Sequence, residues 1–560
     1  MNIDRRRALA LLGIGAAAPL TAHAQSAYSG AVAFEHGVAS GDPLADAVVL
    51  WTRITPKTDG AGLIAYAWRL NPVDRRAGGA KSGAGLTGPD RDFTVKVDVT
   101  GLDPARAYTF EFEANGVTSP MGRTRTLPTG EVRELVFAVA SCSLYPYGYF
   151  NAYQAIADLP KLDAVIHLGD YIYEYGGPGS YGMNSAVAAE RPHIPDREIV
   201  SLEDYRQRHA QYKTDPQLQA AHARAPWIVS WDDHETANNS WMGGAQNHTP
   251  ETEGDWNVRK ANALKAYFEW MPIRDPAPGG SFEAMNRSFQ FGDLASLMML
   301  ETRLTARDDQ LDYGRDLPVV DGQPDLAAFR QKLADPARRM MSPAQEDWLA
   351  KELAQSVQSG RTWQILGNQV VMARMDVPSP SKVLGEEAVA AAIAAQPEDI
   401  ARRIEQMERL AAMGLPYGMD MWDGYPAARE RLYDAVEAAG ARAIVVSGDS
   451  HAFWVNELHD DDGVLRAVEF GTTGITSPGA GDTVKDLPVG ELYIKGAKEV
   501  VHSDHDAKGF VLLTLTPDMA RGDLMTVSSI TSRDYETRVR KAYAVSPLEG
   551  GVSPLKPVEI

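Results

Sequence analysis

VIHLGDYIYEY, residues 165–175, sets an apolar run directly against an aspartate and three tyrosines. Positions 165–168 read as a buried strand, Gly169 as the turn that ends it, and Asp170 as the first polar group beyond the sheet. The same grammar recurs around it. ELVFAVASC (134–142) reads as a strand and YFNAYQAIADL (149–159) as a helix, followed by the strand in LDAVIHLGD (162–170). Further on, the helical stretch 201–224 leads to PWIVSWDDHE (226–235), and helix 256–270 to LASLMMLETRL (294–304). Helix 342–356 leads to TWQILGNQVV (362–371), and helix 426–440 to ARAIVVSGDSHAF (441–453). The strands RAVEFGTTG (466–474) and GFVLLTLTP (509–517) close the series. Strands alternating with helices predict a layered α/β architecture.

Upstream the pattern differs. AVVLWTRIT (47–55), LIAYAWRL (63–70), FTVKVDVTGL (93–102) and AYTFEFEANG (107–116) alternate apolar and polar residues between Gly, Pro, Asp and Asn. That period of two predicts a β-sandwich over 30–130, resembling fibronectin-type or immunoglobulin-like domains. Residues 132–533 then form the α/β part and 534–560 a C-terminal tail. Residues 176–200 read as a loop, and 376–420 as an inserted helical pair over the active site.

The first 24 residues do not belong to the fold. An arginine cluster, a short apolar stretch and Ala22-His23-Ala24 form an export signal with a cleavage site. Arg5 and Arg6 followed by Leu9 resemble a twin-arginine signal, which places the mature protein in the periplasm or outside the cell, with the twin-arginine export machinery as a partner. No segment is long and apolar enough for a membrane span. The chain has 560 residues, 44% of them hydrophobic, enough for a large core. With 55 basic against 75 acidic residues, a net charge of -20 leaves no broad basic face for nucleic acid. Clusters of oxygen ligands for hard cations suit that balance, although acidic surfaces are common without metals. Cys142 is the single cysteine, which excludes an intrachain disulfide framework. Such a residue ordinarily packs as a small buried apolar group.

Open α/β sheets bind ligands just beyond the carboxyl ends of their strands. Successive strand ends here carry Ser141-Cys142-Ser143, Gly169-Asp170 with Tyr173, Asp232-Asp233-His234-Glu235 with Asn238 and Asn239, and Gly448-Asp449-Ser450-His451. Each alone is a common turn or helix cap. Together they predict one shared polar site.

HLGDYIYEYG, WDDHETANNSW, MDMWDGYPAARERL, VVSGDSHAFW and TSPG resemble PhoD-type alkaline phosphatases, relatives of the calcineurin-like metallophosphoesterases, as does HGVASGDPLADAVVLWTR near the start. The resemblance runs from about Phe34 to Arg533. It implies a two-sheet α/β/β/α metallophosphoesterase sandwich preceded by the β-sandwich domain. It also implies one ferric iron with calcium ions, and hydrolysis of phosphate mono- and diesters.

On that resemblance, Cys142 offers a thiolate, Tyr173 a phenolate and His451 an imidazole to iron, with Asp170 bridging two metal centres. Asp233, with Asp232 as the alternative, Asn238 or Asn239, and Asp449 furnish an oxygen shell for calcium. His234 contacts phosphate or protonates the leaving oxygen. Glu235 either orients His234 or makes a structural contact. The wider superfamily has Asp-x-His where this chain has 141–143, Asn at Asp233 and His at Asp449. The shift from nitrogen to oxygen favours calcium. Asn368 stands where a further superfamily histidine falls, or else is a turn residue.

Trp231, Trp241, Trp422, Tyr171 and Tyr175 read as packing residues, His36 and Asp42 as turn and domain contacts, and Arg429 as half of a surface salt bridge. Two alternatives stand beside the phosphatase: a phosphodiesterase for phospholipids or teichoic-type polymers, and a secreted polymer-binding protein with a structural metal.

Overall fold

Alternate residues of the strand Leu135–Ala140 face opposite layers, as the pleat requires. Phe137 and Val139 point into one buried cluster with Ile166, Leu168, Leu297, Ile365, Ile444 and Phe470. Ala138 and Ala140 point the other way, toward Tyr153, Ile156, Leu218 and Leu264 on helices. A strand apolar on both faces must be covered on both, and that requirement sets the architecture. The structure is a computed structural model that describes residues 28–74, 78–277, 279–283, 285–484 and 487–560. The expected export signal, 1–24, lies outside the described residues.

Two large sheets pack face to face. In the larger, the strands Leu135–Ala140, Ala164–His167 and Trp227–Val229 run parallel at the centre. Antiparallel strands Lys508–Leu515, Ala520–Val527 and Thr537–Val545 extend one side. In the second sheet, Ala295–Met299, Trp363–Gly367, Ala443–Ser447 and Leu465–Gly471 are parallel. The outer face of the first carries the helices Asn151–Ala157, Leu202–Lys213, Pro216–Arg224 and Trp256–Trp270. Leu349, Leu353, Leu432 and Val436, on the helices Pro343–Gln358 and Pro426–Ala439, cover the second. This is the α/β/β/α sandwich the sequence led us to expect. Among the described residues no helix is long and apolar enough to cross a membrane.

The N-terminal β-sandwich is present, but it shares a sheet with the rest. Strands Val38–Gly41, Ala47–Arg53 and Thr94–Thr100 extend the large sheet beyond Trp227–Val229 through the pair Trp227 and Gly41. Their other side packs Val48, Leu50 and Val95 against Ile64, Leu70, Phe110 and Phe112 of a separate five-stranded sheet. A boundary near residue 130 therefore cuts the chain but not the sheet. The stretch 534–560, read as a tail, instead supplies edge strands of the large sheet, because Ala542, Tyr543 and Val545 have apolar surface to bury.

The insertion at 376–420 is helical, but with three helices rather than the expected pair: Pro380–Leu384, Glu386–Ala395 and Glu398–Ala412. Val389, Ile400 and Ile404 pack with Val484 and Leu487, so its apolar side is satisfied by that segment. Asp42 ties layers together by accepting from Arg274 N–H at 2.8 Å and Arg287 at 2.9 Å. Arg429 departs from expectation: it is buried and pairs with buried Asp423 at 2.7 Å, an internal ion pair rather than a surface one.

Candidate metal centre

The strand ends converge through unusual backbone. Cys142, Asp170, Asp449 and His451 have φ of 61°, 53°, 61° and 57°, in the left-handed region. Asp and His tolerate it better than most residues, but Cys seldom adopts it, and residues held there cluster at functional sites. Gly169 makes the convergence sterically possible: a Cβ there would lie 2.2 Å from the Asp232 backbone nitrogen. The loops then lock together. Cys142 N–H donates to Gly169 O at 3.2 Å, and Ser477 N–H and Oγ donate to Cys142 O at 3.2 and 2.8 Å.

Cys142, Asp170 and His451 bring ligand atoms within 4.8 Å of one another; so do Asp170, Asp233 and His234, and so do Asp170, Asp232, Asp233 and Asp449. Asp170 belongs to every group, as a bridging ligand should. Tyr173 OH joins the first group by donating to Asp170 Oδ2 at 3.0 Å, with His451 Nε2 at 3.2 Å and Ser477 Oγ at 2.7 Å. Asn238 lies beside these groups with contacts of its own. Its amide donates to Gln246 at 2.6 Å, while its backbone N–H donates to Glu174. Neighbouring Asn239, at φ 53°, contributes its backbone N–H to Asp233 Oδ2 at 2.6 Å. Asn368 is a structural residue, accepting from Trp422 Nε1 at 3.1 Å and donating to Val370 O.

The carboxylates share one pattern. Each of Asp170, Asp232 and Asp233 has one oxygen held by the protein: by Tyr173, by Arg303 and by Asn239 N–H respectively. The second oxygen of each, Asp170 Oδ1, Asp232 Oδ2 and Asp233 Oδ1, is buried without a hydrogen-bond partner. Buried carboxylate oxygens are costly unless paired or bound to a cation. Burial pushes Asp170 and Asp232 well above the ordinary carboxylate range and Asp449 up to about 7, despite the opposing Arg303 charge at the latter two. The donors therefore fit cations in two kinds of shell. Thiol, phenol and imidazole lie on one side of Asp170, and oxygen alone on the other.

His234 is buried, which opposes its charge, but Asp233, Glu174 and Asp170 outweigh this and raise its pKa well above the usual value. Burial instead lowers His451 to about 4, so it offers a neutral imidazole. Burial and then Asp170 push the Cys142 thiol and the Tyr173 phenol up. Of the ligand side chains, His451 and Asp449 are the more exposed, at 14% and 20%, against 1% for Asp170. Tyr181 stands beside His451, donating to Pro478 O at 2.9 Å.

Sequence reasoning did not single out Glu174, Arg303 or Asp420. Glu174 accepts at 2.6 Å from His234 Nδ1, the orienting role considered for Glu235. Glu235 instead accepts backbone N–H groups from Asp170, Tyr171 and Asp232 at 3.0, 2.6 and 2.7 Å, fixing two ligand loops to each other.

Residues 137–524 match the PhoD-like phosphatase family, and 20–128 match the PhoD-like phosphatase N-terminal domain. Alkaline phosphatase D of Bacillus subtilis (strain 168) is 33% identical over 535 residues, covering 93% of this chain and 82% of that protein. A solved structure described as PhoD superposes with a TM-score of 0.76 at 31% identity, covering 95% of this chain and 93% of that one. With both of its parts matched in order around this centre, the chain belongs to the PhoD-like phosphatase family and is a phosphoric ester hydrolase.

Proposed function

We propose that this phosphatase is exported and metal-dependent, cleaving phosphate mono- and diesters. Cys142, Tyr173 and His451 would hold ferric iron. Asp233, with Asp232 as the alternative, Asn238 or Asn239, and Asp449 would hold calcium, with Asp170 common to both groups. The observation that carries this reading is the set of three buried carboxylates, each with one oxygen satisfied and one without a partner. Bound there, such cations polarise phosphoryl oxygens and acidify water at working pH.

The protein's own groups do the rest. Glu174 holds His234 through Nδ1 and, with Asp233, favours the imidazolium. That cation faces phosphoryl charge and delivers its Nε2 proton to the departing oxygen. Glu235 keeps the Asp170 and Asp232 loops in register, which holds reacting groups at fixed distances. The wall around Asp170, Tyr173 and Cys142 is buried, while Asp449 and His451 are partly exposed to solvent. Residues 1–24 direct folded protein through the twin-arginine route, 30–130 serve as the N-terminal unit and 132–533 as the catalytic unit.

The test is hydrolysis of an aryl phosphate monoester and a bis-aryl diester at alkaline pH, before and after chelation. Loss of both activities on chelation, with recovery on adding iron and calcium, supports the reading. Undiminished turnover in exhaustively chelated protein opposes it.

A further inference from the structure

A fully buried arginine sits inside the acidic half of the centre. Arg303 Nε donates to Asp232 Oδ1, Nη1 to both oxygens of Asp420 at 3.0 and 2.8 Å, and Nη2 to Asp449 Oδ1 at 3.2 Å. Nη2 also lies 3.8 Å from Asp233 Oδ1. One guanidinium therefore faces three of the four carboxylates of the candidate calcium group, Asp170 being the exception. Its place is fixed from behind. Just past the strand Ala295–Met299, Glu301 accepts the backbone N–H groups of Arg303, Leu304 and Thr305 at 2.9, 2.7 and 2.9 Å, and Trp231 Nε1 at 3.0 Å. Trp231 precedes Asp232, so the same carboxylate that sets the arginine also braces the ligand it touches.

The other groups packed on this side do not cancel the charge by themselves. Asp420 is shared with Arg307, which donates to its backbone oxygen at 2.7 Å and pairs with its carboxylate. That leaves Arg303 to serve Asp232, Asp233 and Asp449. Clustered carboxylates repel strongly in a buried site, and a fixed cation among them relieves that repulsion when no metal is present. The same cation opposes an incoming divalent ion by like-charge repulsion, and it occupies Asp232 Oδ1 and Asp449 Oδ1.

We propose that Arg303 is the resident counter-cation of the acidic half, and that it sets calcium affinity by competing electrostatically with calcium for Asp232, Asp233 and Asp449. It is a positioning residue, acting through these carboxylates. The proposal rests on the calcium reading above, and its test does not depend on turnover.

The experiment measures half-saturating calcium by titrating calcium chloride into iron-containing, calcium-depleted full-length protein, with melting temperature recorded in parallel. Arg303→Met removes the charge. It should lower the half-saturating calcium about tenfold, since one unit charge near the site is lost. It should also lower the melting temperature more without calcium than with it. Arg303→Lys retains the charge and should stay within about twofold of the parent, because charge rather than fork geometry sets the effect. Arg303→Gln carries the same expectation as Met if the Met variant does not fold. A residue that merely props the ligands would, when removed, weaken calcium binding. Unchanged or weaker calcium binding in the neutral variants, or a Lys variant as tight as they are, would overturn the proposal while leaving the calcium site in place. A parent protein that binds no calcium would overturn both readings.

Discussion

Glu174 Oε2 lies 2.6 Å from His234 Nδ1, although Glu235 is the acid that adjoins His234 in the chain. In the turn beyond the strand Trp227–Val229, Glu235 meets the backbone of the Asp170 and Asp232 loops while His234 meets Glu174. Glu174→Gln retains a hydrogen bond but removes one of the charges that, after Asp233, raise His234. The imidazolium is then lost at lower pH. Because activity that requires it disappears as pH rises through the His234 pKa, the alkaline limb of the rate profile should move to lower pH. Alkyl phosphates, which need a proton on the leaving oxygen, should lose about 100-fold in kcat/KM and aryl phosphates far less. Equal losses on both substrates would remove His234 from the acid role.

Glu235→Ala leaves the buried N–H groups of Asp170, Tyr171 and Asp232 without their acceptor. At about 1–3 kcal/mol for each unsatisfied group, a loss of about 3 kcal/mol or more in unfolding free energy is expected. Denaturant titration reads it, and metal analysis of the same sample should show reduced content, since the two ligand loops lose their common tie.

Tyr173→Phe deletes the hydroxyl that meets Asp170, His451 and Ser477. If that oxygen binds iron as phenolate, the visible charge-transfer band of the purified protein should disappear in the variant. A band of unchanged position and intensity assigns the colour to Cys142 or to other ligands.

Three buried histidines should withdraw stability on acidification. Burial depresses His36, His167 and His209 from 6.5 to about 3, with Arg53 and Lys213 adding to it at His36 and Lys213 at the other two. Between those values the unfolded chain binds protons that the folded chain refuses. The stability these three histidines contribute is therefore full above pH 6.5 and declines toward pH 3. His209, stacked on Trp270 with neither ring nitrogen hydrogen-bonded, is the cleanest probe. Replacing it with Phe should reduce the slope of urea midpoint against pH between 6.5 and 4. An unaltered slope would assign the acid sensitivity elsewhere.

The strand ends were legible because each apolar run stops at a polar group: Cys142, Asp170, Asp233 and Asp449 could be read from that alone. Asn238 meets Glu174 through its backbone N–H and Gln246 through its amide nitrogen, contacts that a residue name does not reveal. Glu174 lay within the opening stretch, yet its partner is 60 positions away, and no local pattern announces such a pair. Asp420 stands in MDMWDGYPAARERL but was given no role there, and Arg303 follows a strand without a motif, since long-range charge pairing leaves no periodicity to detect. The shared sheet was hidden for a similar reason. It depends on the pairing of Trp227 with Gly41, whereas alternation within each strand says nothing about its neighbour.

The central claim is that one group of ligands holds iron through Cys142 and Asp170 while another holds calcium. Elemental analysis of purified parent protein and Cys142→Ala tests it most directly. The account predicts iron and calcium in the parent, and loss of iron with retention of calcium in the variant. Iron content unchanged by Cys142→Ala would contradict it.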